Sequence, residues 1–217
     1  NYLRKINMKK LIVLFFGTAL LFSTSAFSDV MVGFKVGNGE LEGSNAQYVA
    51  GDTTYTSVTA KKDSMFGAIF AEASLGDTGL SAGVEYVPLD ADITLDGNNS
   101  STSANVEDYT TAYLLYMHDA GDANIYAKVG YSQADIGTIN ASENTTINSQ
   151  DTSLDGVMVG AGLQTDEMAN GLVGRLEVTY TEFDDVTATT TSNGSASVKK
   201  TGDGDLLTVT FGLSKSF

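Results

Sequence analysis

Residues 206–217 read LLTVTFGLSKSF. Leu207, Val209, Phe211, Leu213 and Phe217 share one parity, and Thr208, Thr210, Gly212, Ser214 and Ser216 share the other. A repeat of two is that of a β-strand, whose successive side chains point to opposite faces. One face of this strand is dry and the other wet. Terminal residues of soluble domains usually fray, yet here the apolar row runs to a final aromatic. What solvates each face decides the fold.

The same alternation recurs upstream. Val30, Val32, Phe34 and Val36 align in VMVGFKVG, and MFGAIFAEASL follows from Met65. Leu80, Ala82, Val84 and Tyr86 align after a GDTG turn. DYTTAYLLYMH, from Asp108, turns through DAGDAN into a stretch aligning Ile125, Ala127, Val129 and Tyr131. Val157, Val159, Ala161 and Leu163 align next, and TDEMANG leads to Leu172, Leu176, Val178 and Tyr180. With the closing stretch this makes eight strands, bounded by Gly, Asp and Asn turns. Three gaps are tight. The four others, 42–62, 90–107, 137–153 and 184–205, are long and rich in Thr, Ser, Asn, Gly and Asp. Structureless connections beyond about 12–15 residues are uncommon in compact soluble domains. Strict alternation of short and long gaps is what an outer-membrane barrel requires, with short periplasmic turns and long outer loops.

The beginning of the sequence predicts export. From Met8, Lys9 and Lys10 precede an apolar run from Leu11 to Phe22, and Ala26 and Ser28 precede a cut before Asp29. This is the form of a cleavable signal peptide, too short for the roughly 20 apolar residues of a membrane-spanning helix. The expected organisation is therefore 1–28 as upstream residues plus signal peptide, and 29–217 as the barrel. All 27 acidic residues but only 8 of the 12 basic ones follow Ser28, for a net charge of −19. Such a balance excludes nucleic acid as a partner, whose phosphates demand Lys and Arg. The absence of cysteine rules out disulfides and thiol chemistry.

If the apolar faces meet lipid, the first and last strands must pair, because hydrocarbon cannot satisfy free backbone groups. The pattern predicts an all-β, eight-stranded, antiparallel up-and-down transmembrane barrel. At this point the chain resembles the small outer-membrane β-barrels of the OmpA/OmpX and opacity type, over the signal peptide and the rest of the sequence. The resemblance rests most on Val209, Phe211, Leu213 and Phe217, which look like the C-terminal insertion signal that the barrel assembly machinery reads in that family. Lys215 departs from the pattern, where an apolar residue is more usual. No peptidoglycan-binding domain is expected after the barrel. The resemblance implies outer-membrane lipids and lipopolysaccharide as surroundings, a monomer, and localisation in the cell outer membrane.

Parity then assigns the charges. Lys35, Glu72, Glu85, Lys128, Arg175 and Glu177 are expected to point into the barrel, three of each sign. An Arg or Lys facing the lipid midplane costs about 2–4 kcal/mol, whereas enclosed opposite charges can pair. Eight strands enclose a space that side chains nearly fill, so the expectation is a plugged interior. Tyr86, Tyr131 and Tyr180 are placed near the outer interface and Phe217 near the inner one, as aromatic girdles. His118 is the single histidine. It adjoins a short turn, so it is expected at the inner rim and outside any catalytic role. The functional expectation is a non-enzymatic surface protein acting through four long acidic loops, with no cofactor, no metal and no named loop ligand. A narrow porin-like channel and a lipid A-modifying enzyme are the alternatives.

Overall fold

A computed structural model describes residues 29–45, 48–50, 53–55, 57–88, 91–97, 100–140, 145–192 and 197–217. The predicted signal segment, 1–28, lies outside the described residues. Among the described residues twelve strands follow one another: β1 (Val30–Asn45), β2 (Tyr48–Ala50), β3 (Thr53–Tyr55), β4 (Val58–Ser74), β5 (Leu80–Val87), β6 (Ala91–Gly97), β7 (Ser100–Asp119), β8 (Asn124–Asn140), β9 (Thr145–Gln150), β10 (Ser153–Gln164), β11 (Leu172–Ser192) and β12 (Val198–Ser216). Eight of them pair in the order β10-β8-β7-β5-β4-β1-β12-β11, and β11 pairs back to β10. All of these pairings are antiparallel. The sheet is closed on itself, each of the eight strands pairing with a neighbour on both sides over at least part of its length.

The seam joins the first strand to the last. β1 and β12 register from Met31 opposite Ser216 to Asn45 opposite Gly202. Phe217 is held too: its N–H donates to the Val30 carbonyl at 2.9 Å. Three tight connections lie at one end. The first is a short 3₁₀ turn, Gly76–Thr78, closed by Gly79 in the left-handed region at φ 74°. The second bends at Gly121, whose φ is 100°, and the third contains Asn170 and Gly171, both at positive φ.

The faces are inverted relative to a soluble protein. Phe34 is 51% exposed and Phe211 57%, with Val36, Val129, Val159, Leu176 and Val209 in the same outward rows. Lys35 is 1% exposed and Arg175 2%. On β11 the outward apolar row runs from Leu172 to Tyr180 and gives way to Glu182 and Asp184. That run spans roughly 23 Å at ~3.4 Å per residue and ~40° tilt, close to the ~25 Å apolar band of outer-membrane barrels. The apolar row gives way in the same direction elsewhere: Val36 is followed outward by Asn38, Tyr131 by Gln133, Val157 by Asp155 and Leu207 by Asp205. Ala71, Ala73 and Val84 share the outward parity of Ile69 but are buried.

Above the band the structure departs from the sequence expectation. The four polar gaps are in large part strand, not loop. β11 reaches Ser192, β7 begins at Ser100, β8 reaches Asn140 and β12 begins at Val198. Their Thr-rich sequences favour extended backbone; the β1–β12 and β1–β4 ladders run on without a break, and β11–β12 and β7–β8 continue past register shifts. With neither face buried in lipid, no apolar alternation marks them in the sequence. Two ring strands stop early and hand over to a second strand. Pro88 ends β5, since proline cannot donate to the ladder, and β6 then resumes pairing with β7. β10 begins only at Ser153; before it, Asp151 accepts the Thr187 N–H at 2.9 Å and β9 pairs with β11.

Candidate functional site

The six charges assigned by parity all lie inside the ring, and they form two layers. In the first, Lys35 from β1, Glu85 from β5, Lys128 from β8 and Glu177 from β11 meet. These are every second strand round the ring, so the four side chains converge on the axis. Lys35 Nζ stands 2.6 Å from Glu85 Oε2 and 2.5 Å from Glu177 Oε1. Lys128 Nζ stands 3.0 Å from Glu85 Oε2 and 3.2 Å from Glu177 Oε1. Each cation touches both carboxylates, so the layer is neutral and cross-braced.

The second layer lies on the side of the short turns. Arg175 grips Glu72 with two nitrogens, at 2.7 and 3.1 Å, and its Nε donates to Gln164 Oε1 at 3.0 Å. The Tyr113 hydroxyl donates to Glu72 at 2.9 Å, and the Tyr126 hydroxyl to Glu177 at 2.9 Å. Phe70, fully buried, separates the layers. Lys35 Nζ and the Arg175 guanidinium each lie 5.1 Å from its ring centre, within cation–π range. Two glycines make these tyrosine positions possible. A Cβ on Gly83 would stand 2.4 Å from the Tyr113 ring, and one on Gly162 would stand 2.3 Å from Tyr126.

Sequence reasoning missed Tyr113, Tyr126 and Gln164. Tyr126 and Gln164 were available, since each alternates with an outward row. Tyr113 was not, because β7 is apolar on both faces: Leu114 and Tyr116 point out, Leu115 and Met117 inward.

The girdle residues lie as follows. Tyr131 and Tyr180 are outward and 47% and 41% exposed, Phe217 is 72% exposed, and Tyr86 is half-buried with its hydroxyl donating to Asp108. Val209 and Phe211 face outward, and Leu213 is half-buried on the same row. Lys215, the departure in that row, reaches the Asn170 carbonyl at 2.6 Å and lies 5.5 Å from the Phe217 ring centre. His118 is exposed at the turn end of β7.

The outer half of the lumen corrects the expectation of a polar, filled interior. Above the first ionic layer is a cavity of about 110 Å³. Glu85 and Lys128 form its floor, and Phe66, Val87, Met158 and Phe183 its walls. Apolar side chains at inward positions line this half, and parity places them inside without showing that they leave a hollow. Ion pairs therefore span the lumen at mid-height, and a hollow lies above them.

No protein-family model matches the chain, and no curated protein is similar to it in sequence. Solved structures are similar in fold. The outer membrane protease OmpT from Escherichia coli superposes with a TM-score of 0.54 at 10% identity, over 90% of this chain and 99% of that one. The attachment invasion locus protein Ail of Yersinia pestis gives 0.43 at 11% identity, over 86% and 98%. Neisserial surface protein A gives 0.44 at 13% identity, over 85% and 97%. The fold is that of an outer-membrane β-barrel. With an outward apolar band and an enclosed ionic core, the barrel belongs in an outer membrane.

Proposed function

We propose that this barrel is a non-enzymatic, monomeric surface protein whose function lies in the strands that project beyond the membrane. One observation carries this reading: β11 has 21 residues and β12 has 19, whereas crossing the bilayer takes about 9–11. Some dozen residues of β11 therefore stand roughly 30 Å above the apolar band at ~3.4 Å each and ~40° tilt. Their chemistry is anionic and hydroxyl-rich. Glu40, Glu42, Glu182, Asp184, Asp203 and Asp205 lie on the projecting parts of β1, β11 and β12. Such a surface repels anionic partners and attracts cationic ones. Lipopolysaccharide and outer-membrane lipids surround the band, and the assembly machinery recognises the β12 row. The ionic layers below support a scaffold and not a conduit.

The test replaces residues 184–204 by a tight turn. The shortened protein should still show heat-modifiable migration on a denaturing gel while the cells lose a surface phenotype such as adhesion to a cationic substrate. Steady single-channel conductance from the pure full-length protein in planar bilayers would refute the sealed scaffold and favour the narrow channel.

A further inference from the structure

The cavity in the outer half of the lumen is not needed by a surface scaffold, and its chemistry is specific. Its rim is half-buried at Leu41 and Leu206, whereas Met158 and Lys128 deeper down are 2% and 4% exposed. The cavity therefore opens away from the short turns, toward the outside. Its hydroxyls have partners within the wall: Thr179 pairs with Thr208 at 2.7 Å, Tyr109 with Ser132 and Thr181 at 3.0 Å, and Thr111 with Ser132 at 2.8 Å. Apolar-walled cavities of this order take up small hydrophobes; one of about 150 Å³ holds benzene.

The floor adds one polar anchor. Glu85 meets both ammonium groups through Oε2. Its side chain keeps the largest exposure of the four ionic partners, 11%. A carboxylate has roughly four lone-pair sites, so Glu85 has acceptor capacity left on the cavity side. We propose that the outer lumen binds one small apolar molecule bearing a single hydroxyl, of phenol size. Its ring packs against Phe66, Met158 and Phe183, and its hydroxyl donates to the Glu85 carboxylate. Neither the binding nor its test depends on the surface role.

The experiment is methyl NMR of methionine-labelled protein in phosphatidylcholine nanodiscs, titrated with 4-fluorophenol and, separately, 4-fluorotoluene. Met158 reports the cavity. Met65, 82% exposed, and Met168, 46% exposed, report partition into lipid or solvent. The expected result is a saturable shift of Met158 alone, with the phenol binding about tenfold more tightly than the toluene, as one hydrogen bond to a charged acceptor provides. Leu206→Trp, checked for folding by heat-modifiable migration, should abolish the saturable shift by blocking the rim. Equal affinities for the two probes would overturn the assignment to Glu85. Parallel, non-saturating shifts of Met65 and Met158, or saturation unchanged in Leu206→Trp, would overturn the site.

Discussion

Removing Arg175 should cost more than removing Arg175 and Glu72 together. Arg175→Met deletes a two-pronged contact with Glu72, at 2.7 and 3.1 Å, and the bond to Gln164. It leaves the Glu72 carboxylate 4% exposed with the Tyr113 hydroxyl at 2.9 Å. Stranding a buried charge costs about 3–5 kcal/mol. The surviving charge-assisted bond offsets about 1.5 kcal/mol of that. The net loss is about 1.5–3.5 kcal/mol, roughly tenfold to three-hundredfold in the folding equilibrium. Arg175→Met/Glu72→Leu removes the stranded charge and should recover most of it, since apolar replacement of a buried pair is often neutral. Urea titration of the lipid-reconstituted barrel, read by heat-modifiable migration, measures all three proteins. A single variant within about 0.5 kcal/mol of wild type, or a double variant less stable than the single one, would refute the claim that Glu72 is a buried charge that depends on Arg175.

Three further outcomes are expected. Gly162→Ala places a methyl 2.3 Å from the Tyr126 ring and 2.6 Å from the Leu176 carbonyl; overpacking of this kind costs about 1–3 kcal/mol, readable as a lower urea midpoint. Above the apolar band, burial and then Glu42 hold the Asp205 carboxyl above its usual range. A carboxyl whose folded pKa is raised favours folding at low pH and loses that contribution as pH rises through the folded value, so Asp205→Asn should raise the urea midpoint at pH 7 and leave it unchanged well below pH 4. Phe217→Ser should reduce the assembled fraction in cells, measured by heat-modifiable migration of outer-membrane preparations; an unchanged fraction would remove Phe217 from the insertion signal.

Parity made the membrane part of the fold legible. Where one face must meet hydrocarbon and the other is enclosed, every residue of β1, β8, β11 and β12 has its side fixed by its neighbours. Lys35, Lys128 and Arg175 could be placed from Phe34, Val129 and Leu176 alone. That constraint ends with the bilayer. Above Tyr180 and Leu207 neither face is chosen by lipid, so Thr-rich strands there look like loops. Parity also says nothing of shape. It puts Phe66, Met158 and Phe183 inside without showing that they line a hollow. It cannot say which inward partner a carboxylate finds, since Glu72 and Arg175 stand 103 positions apart.

The β1–β12 seam also orders events in time. The first strand has no permanent neighbour on one side until the last has been synthesised and delivered, with almost the whole chain looped between them. Contacts of such sequence separation form slowly. Until the ring shuts, the unpaired edge of β1 is a template for any other extended chain. The ring therefore shuts late, and until it does this edge stays open to pairing elsewhere.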